Sequence, residues 1–195
     1  MNQRVTVGVA AAAAILVGCS SPATETPART DCAVDPASAP PVAVEAYQTV
    51  PEADRITLTL SDIGPVTPGG PPVEVEVTMC NDSAVDYPDV GVVLVLGHCS
   101  CAPNPTSIPA GTVHRFDENT GSWALVEHPT AGLGVDYLGT YADVRPMPKG
   151  QRRTARYRIA LDGSMTAGQG VVEAAAVTPE PLNRIGTADT PFAVG

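Results

Sequence analysis

The sequence predicts an all-β sandwich. Short segments of alternating apolar and polar residues recur after residue 50, and Gly, Pro, Asn and Asp break them at intervals of roughly ten to fifteen residues. No stretch in that part of the chain keeps a helical repeat of apolar positions over a dozen residues. Hydrophobic residues make up 44% of the 195 and charged residues 16%, which is too apolar for a disordered chain.

The elements follow in order. RITLTL (55–60) places Ile56, Leu58 and Leu60 on one face, and a Gly/Pro turn follows it. VEVEVTM (73–79) turns Val73, Val75, Val77 and Met79 inward and Glu74, Glu76 and Thr78 outward. NDSAVDYPD (81–89) has loop chemistry, and Asn81-Asp82-Ser83 fits a glycosylation sequon. VGVVLVL (90–96) is apolar on both faces, as a strand covered on both sides must be. TVHRF and SWALVE flank Asp117–Gly121 as a hairpin, with Trp123 after the turn placed to cap the core or to face a sugar. The segment 130–141 reads as a recognition loop or as cover for the sandwich edge through Tyr137 and Tyr141. TARYRIAL (154–161) alternates with Ala155, Tyr157, Ile159 and Leu161 on one side, and GVVEAAAV (170–177) and TPFAV (190–194) complete a set of about seven to nine strands.

The front of the chain is different. One positive side chain, Arg4, precedes an apolar run from Val5 to Val17. Thirteen residues make about 20 Å of helix, short of the roughly 20 residues that span a bilayer. The run therefore reads as the apolar region of a signal peptide, residues 1–18. It ends in Leu16-Val17-Gly18-Cys19, which resembles a bacterial lipobox at every position. Cleavage would leave Cys19 as the first residue, carrying diacylglyceryl on its thiol, and two acyl chains suffice for stable anchoring. Residues 19–41 are then the lipidated cysteine and a Pro, Ala, Ser and Thr tether, and residues 42–195 the domain.

Four cysteines remain: Cys32, Cys80, Cys99 and Cys101. An oxidising compartment and an even count favour disulfides. If 73–80 and 90–97 run antiparallel, Cys80 lies roughly 23 Å from Cys99 and Cys101, whereas a bridge needs Cα atoms within about 7 Å. Two arrangements stay open. One joins Cys32 to Cys80 and Cys99 to Cys101; the other joins Cys32 to one member of the later pair. A third use of the same residues is a soft-metal or redox segment, His98-Cys99-Ser100-Cys101, since two thiolates and an imidazole suit Cu(I) or Zn(II).

PVEVEVTMCNDSAVDYPDVGVVLVL resembles the second and third strands of bacterial immunoglobulin-like domains, and ENTGSWALVE and KGQRRTARYRIAL resemble a hairpin and a later strand of the same kind. Together with the lipobox, the chain resembles mycobacterial-type (actinobacterial) envelope lipoproteins with one immunoglobulin-like β-sandwich. The resemblance implies an address on the extracytoplasmic face of the cell membrane and carries over no catalytic residue. In such a topology the second and fifth strands pair, which sets Arg156 and Arg158 opposite Glu74 and Glu76. Arg145, Lys149, Arg152 and Arg153 belong to the same basic cluster, which either neutralises those glutamates or holds an acidic glycolipid. Val93 and Val95 point away from the core and, beside GVVEAAAV, form an apolar strip that either a partner or residues 98–150 must cover.

A net charge of −10 excludes nucleic acid as a ready partner. Gly-x-Ser-x-Gly, His-Glu-x-x-His and a Gly-rich phosphate loop are all absent from the sequence, and His114, His128, Asp136 and Asp143 are scattered. The expected protein is a non-catalytic module without a cofactor, anchored to the membrane through Cys19 and binding an envelope protein or glycan. The alternative is a metal-binding or redox accessory protein built on His98, Cys99 and Cys101.

Overall fold

A computed structural model describes residue 32, residues 50–132 and residues 137–195. Nine strands form: β1 (Thr57–Leu60), β2 (Val73–Cys80), β3 (Tyr87–Cys99), β4 (Gly111–Asp117), β5 (Ser122–Leu125), β6 (Ala142–Met147), β7 (Arg152–Leu161), β8 (Gly168–Pro179) and β9 (Leu182–Val194). They lie in two antiparallel sheets, one ordered β1-β2-β7-β4-β5 and the other β6-β3-β8-β9. This is an immunoglobulin-like β-sandwich, and β2 pairs with β7 and β3 with β8 as that topology requires.

Alternation decides which side chains are buried. Val75, Val77 and Met79 of β2 and Tyr157 and Ile159 of β7 meet Val92, Leu94 and Leu96 of β3 and Val172, Ala174 and Ala176 of β8. Each large apolar side chain taken from water contributes roughly 1.5–3 kcal/mol, so this interlayer holds the sheets together. Polar groups clamp its ends. Asn81 is fully buried at the end of β2, where its Nδ2 donates to the carbonyls of Val85 at 2.8 Å and Met147 at 2.7 Å. Its Oδ1 accepts from the Ser83 hydroxyl at 2.7 Å. The sequon match at Asn81 thus marks no sugar site, because its amide faces the protein interior and is spent on backbone.

Two elements go beyond the sequence reading. β6 contains Pro146 and a non-glycine residue at positive φ, Asp143 at 57°, so it shows no alternation to read. β9 begins at Leu182, eight residues before the segment expected there; its first half mixes apolar and polar residues around Gly186 without strict alternation.

The apolar strip on the outer side of β3 is closed by the chain itself. Val93 is 2% exposed and Val95 0%. Both pack in a second small core with Leu138, Ala175 and Val177, against which Ala131, Tyr137, Tyr141 and Leu182 also lie. A Cβ on Gly91 would stand 2.9 Å from the Cβ of Tyr141, so the tyrosine rests directly on the strand where that glycine leaves room. Of the two covers left open for Val93 and Val95, the chain itself supplies one, so these two residues are not a free partner surface. From the segment that crosses from β5 to β6, Ala131, Tyr137, Leu138 and Tyr141 bury their apolar surface on this strip.

Candidate functional site

Cys99 and Cys101 end β3 at one pole of the sandwich, and Cys80 ends β2 at the other. Disulfides join Cys99 to Cys101 with Cα atoms 5.0 Å apart, and Cys32 to Cys80 with Cα atoms 5.7 Å apart, the first of the two arrangements left open above. Cys99 and Cys101 are both fully buried, and their sulfurs are bonded to each other, so they have no thiolates to give a metal. His98 beside them points to solvent. Among the described residues no three metal-ligating side chains come together. The metal site on His98, Cys99 and Cys101 is thereby corrected: the two sulfurs close the end of β3 against the core.

The basic cluster is likewise partly taken into the structure. Arg153 shares the inward phase of Ala155 and Tyr157, and its side chain is only 9% exposed. It donates to the Val90 carbonyl at 3.2 Å, the Asp143 carbonyl at 2.7 Å and the Asp143 carboxylate at 3.0 Å, tying β7 to the facing sheet. Arg145 pairs with Asp143 at 2.6 Å. The alternation that turns Thr154, Arg156 and Arg158 outward already placed Arg153 inside.

What remains exposed is the outer face of the five-stranded sheet. Register puts Glu74, Arg158, His114 and Leu125 in one row across β2, β7, β4 and β5. The next row holds Glu76, Arg156, Phe116 and Trp123, since Phe116 follows the Arg115–Tyr157 pair. The guanidinium of Arg158 lies 4.0 Å from the Trp123 ring centre, that of Arg156 lies 4.8 Å from the Phe116 ring centre, and the two rings are 5.2 Å apart. Both arginines bond Glu74, at 2.8 Å and 3.0 Å, although the register partner of Arg156 is Glu76. The pair of bonds, from Arg158 first and then Arg156, holds the Glu74 carboxyl below its ordinary range. Leu125 closes the row at 61% exposure. Trp123 thus faces outward and does not cap the core. Its stack with Phe116 was legible only in part, since the Trp after the turn is a local signal whereas the ring opposite it depends on register.

Cys19, the apolar run before it and the tether apart from Cys32 lie outside the described residues, as does Asp136. Among the described residues no helix is long and apolar enough to cross a membrane.

No protein-family model matches the chain, and no curated protein matches it. Solved structures do. AvmM, which catalyses macrocyclization in alchivemycin A biosynthesis, is similar with a TM-score of 0.54 at 17% identity, over 80% of this chain and 96% of that one. A conjugative transposon lipoprotein from Bacteroides eggerthii has a TM-score of 0.38 at 10% identity, over 71% and 96%. The reeler domain of human F-spondin has 0.33 at 12%, over 81% and 95%. The first of these is a likeness of fold alone, and the other two are too distant to support any deduction.

Proposed function

We propose that this chain is a lipid-anchored, extracytoplasmic module of the bacterial envelope that binds a neighbouring protein or glycan and catalyses no reaction. The observation that carries the reading is the outer face of the five-stranded sheet. Two aromatic rings, two guanidinium forks and a carboxylate are held there in mutual contact beside an exposed leucine. Rings of this kind accept the C–H faces of sugars or apolar side chains, and the fixed charges around them supply directional hydrogen bonds. The alternative groups for acid–base chemistry do not converge: Asp143 is committed to Arg145 and Arg153, while His98 and His114 stand on different sheets.

The anchor rests on Leu16-Val17-Gly18-Cys19 and the apolar run before it. Because Cys32 is bonded to Cys80, the chain between the proposed anchor and the sandwich counts only from Cys19 to Cys32 and reaches at most about 45 Å. The module would therefore work close to the membrane surface. A photo-crosslinking amino acid at Leu125 in living actinobacterial cells should capture a defined neighbour, and Trp123→Ala with Arg158→Ala should abolish capture while the protein stays in the membrane fraction. Equal capture from the Trp123→Ala, Arg158→Ala chain would reject this face. An intact mass without acyl groups on Cys19 would reject the anchor.

A further inference from the structure

A cleft of about 480 Å³ opens between the two sheets along the edge formed by β5 and the residues that lead into β6. It lies on the inner side of β5 and shares only Leu125 with the outer face just described. Ala124 and Val126 form one wall, and Gly139, Thr140 and Tyr141 form the other. Arg115 lines it as well, brought there by the inward phase it shares with Val113 on β4. A volume of this size suits a small organic molecule, for which roughly 300–1,000 Å³ is usual.

The chemistry of the cleft is uneven in a way that points to its ligand. Arg115 has no carboxylate within ion-pair distance among the described residues, and its one hydrogen bond, to its neighbour's carbonyl at 3.4 Å, is long. Asp117, two residues on, is committed to the hairpin turn through the Asn119 amide at 2.9 Å. Directly across from Arg115 on β7 stands Tyr157, whose side chain is buried and whose hydroxyl has no hydrogen-bond partner among the described residues. That hydroxyl is closed to solvent and Tyr157 does not line the cleft, so of the two Arg115 alone brings an unpaired donor to it. Glu127 and His128 line the cleft too, but both are exposed, where water screens them. The remaining walls are apolar or backbone.

We infer that this cleft binds a small organic anion, with the carboxylate or phosphate group taken by Arg115 and the apolar body lying against Val126 and Tyr141. The fork of a guanidinium matches a planar carboxylate with two parallel bonds. 2-Naphthoate is a suitable probe and 2-naphthamide its neutral counterpart. Titration calorimetry on the purified full chain should give a dissociation constant below about 1 mM for the naphthoate, by the usual affinity per heavy atom. The amide should bind at least about tenfold more weakly, since a bond to a charged group is lost. Arg115→Gln should cause a loss of similar size at an unchanged melting temperature. If Arg115→Gln does not fold, Ala124→Phe, which fills the cleft from an exposed position on the edge strand, serves in its place and should abolish binding. Equal binding of acid and amide, undiminished binding by Arg115→Gln or by Ala124→Phe, or no binding of the naphthoate at several millimolar each overturns the inference.

Discussion

At the scale of single residues, the buried polar groups fix the ends of this sandwich, and Asn81 is the clearest of them. Its amide satisfies carbonyls on both sides of the β2–β3 turn, and one of those, Met147, lies 66 positions away. Asn81→Ala leaves both carbonyls buried without donors, and each orphaned group costs about 1–3 kcal/mol. Denaturant unfolding should therefore report a loss of roughly 2–4 kcal/mol, and a loss under half of that range's lower bound would mean that water replaces the amide. Nothing local announces this role, because the partners are brought by the fold, so in the sequence Asn81 carries only its sequon and its place at a strand end. Arg153 was legible by contrast. One step of alternation separates it from the outward Thr154, Arg156 and Arg158, and only the habit of grouping basic residues together hides that phase.

At the scale of elements, strands that alternate were legible and strands that do not were not. β2, β7 and the apolar run of β3 carry a period of two or a continuous apolar signal, and their pairing brings Glu74 opposite Arg158 and Glu76 opposite Arg156 as the topology demands. β6 lacks such a signal because Asp143, Arg145 and Pro146 serve contacts and edge geometry instead of a repeating face. The cover on β3 was a choice between two occupants that pattern alone leaves open, since a strip apolar on its outer side is equally suited to its own chain or to another. Leu138 and Tyr141 occupy it. Val93→Asp would put a carboxylate beneath them among the apolar side chains of that small core. It should destabilise by roughly 3 kcal/mol or more, read as a large fall in melting temperature. A Val93→Asp protein that melts with the parent would return the strip to solvent and reopen it to a partner.

At the scale of the whole molecule, charge and covalent links set the conditions under which the domain stands. Three carboxyls are held below their ordinary range. Arg158 and Arg156 do this to Glu74, the Asn119 amide to Asp117, and Ser164 to Asp162. A depressed value in the folded state means that the unfolded chain takes up protons first as the pH falls, so the contribution is whole above the unfolded values, about 3.9–4.3, and is lost below them. Tyr87 and Tyr157 lean the other way, because burial raises both phenols; their contribution is whole below about pH 10 and lost above it. The melting temperature should be level from pH 5 to 8 and fall at both extremes, and Glu74→Gln should soften the acid fall only; a steep slope near neutrality would point to groups other than these. The two disulfides differ in what they restrain. Cys32–Cys80 closes 48 residues and Cys99–Cys101 only 2. If restriction of the unfolded chain governs, removing the first by paired serine substitutions should cost about 4 kcal/mol and removing the second about 1.2 kcal/mol. The first loss also releases Cys32 from the end of β2, so limited proteolysis at Cys32 should be faster in Cys32→Ser, Cys80→Ser than in Cys99→Ser, Cys101→Ser. The reverse order of stabilities would mean that the buried sulfurs of Cys99 and Cys101 act through packing at the end of β3, and that the short link holds that pole of the core in place.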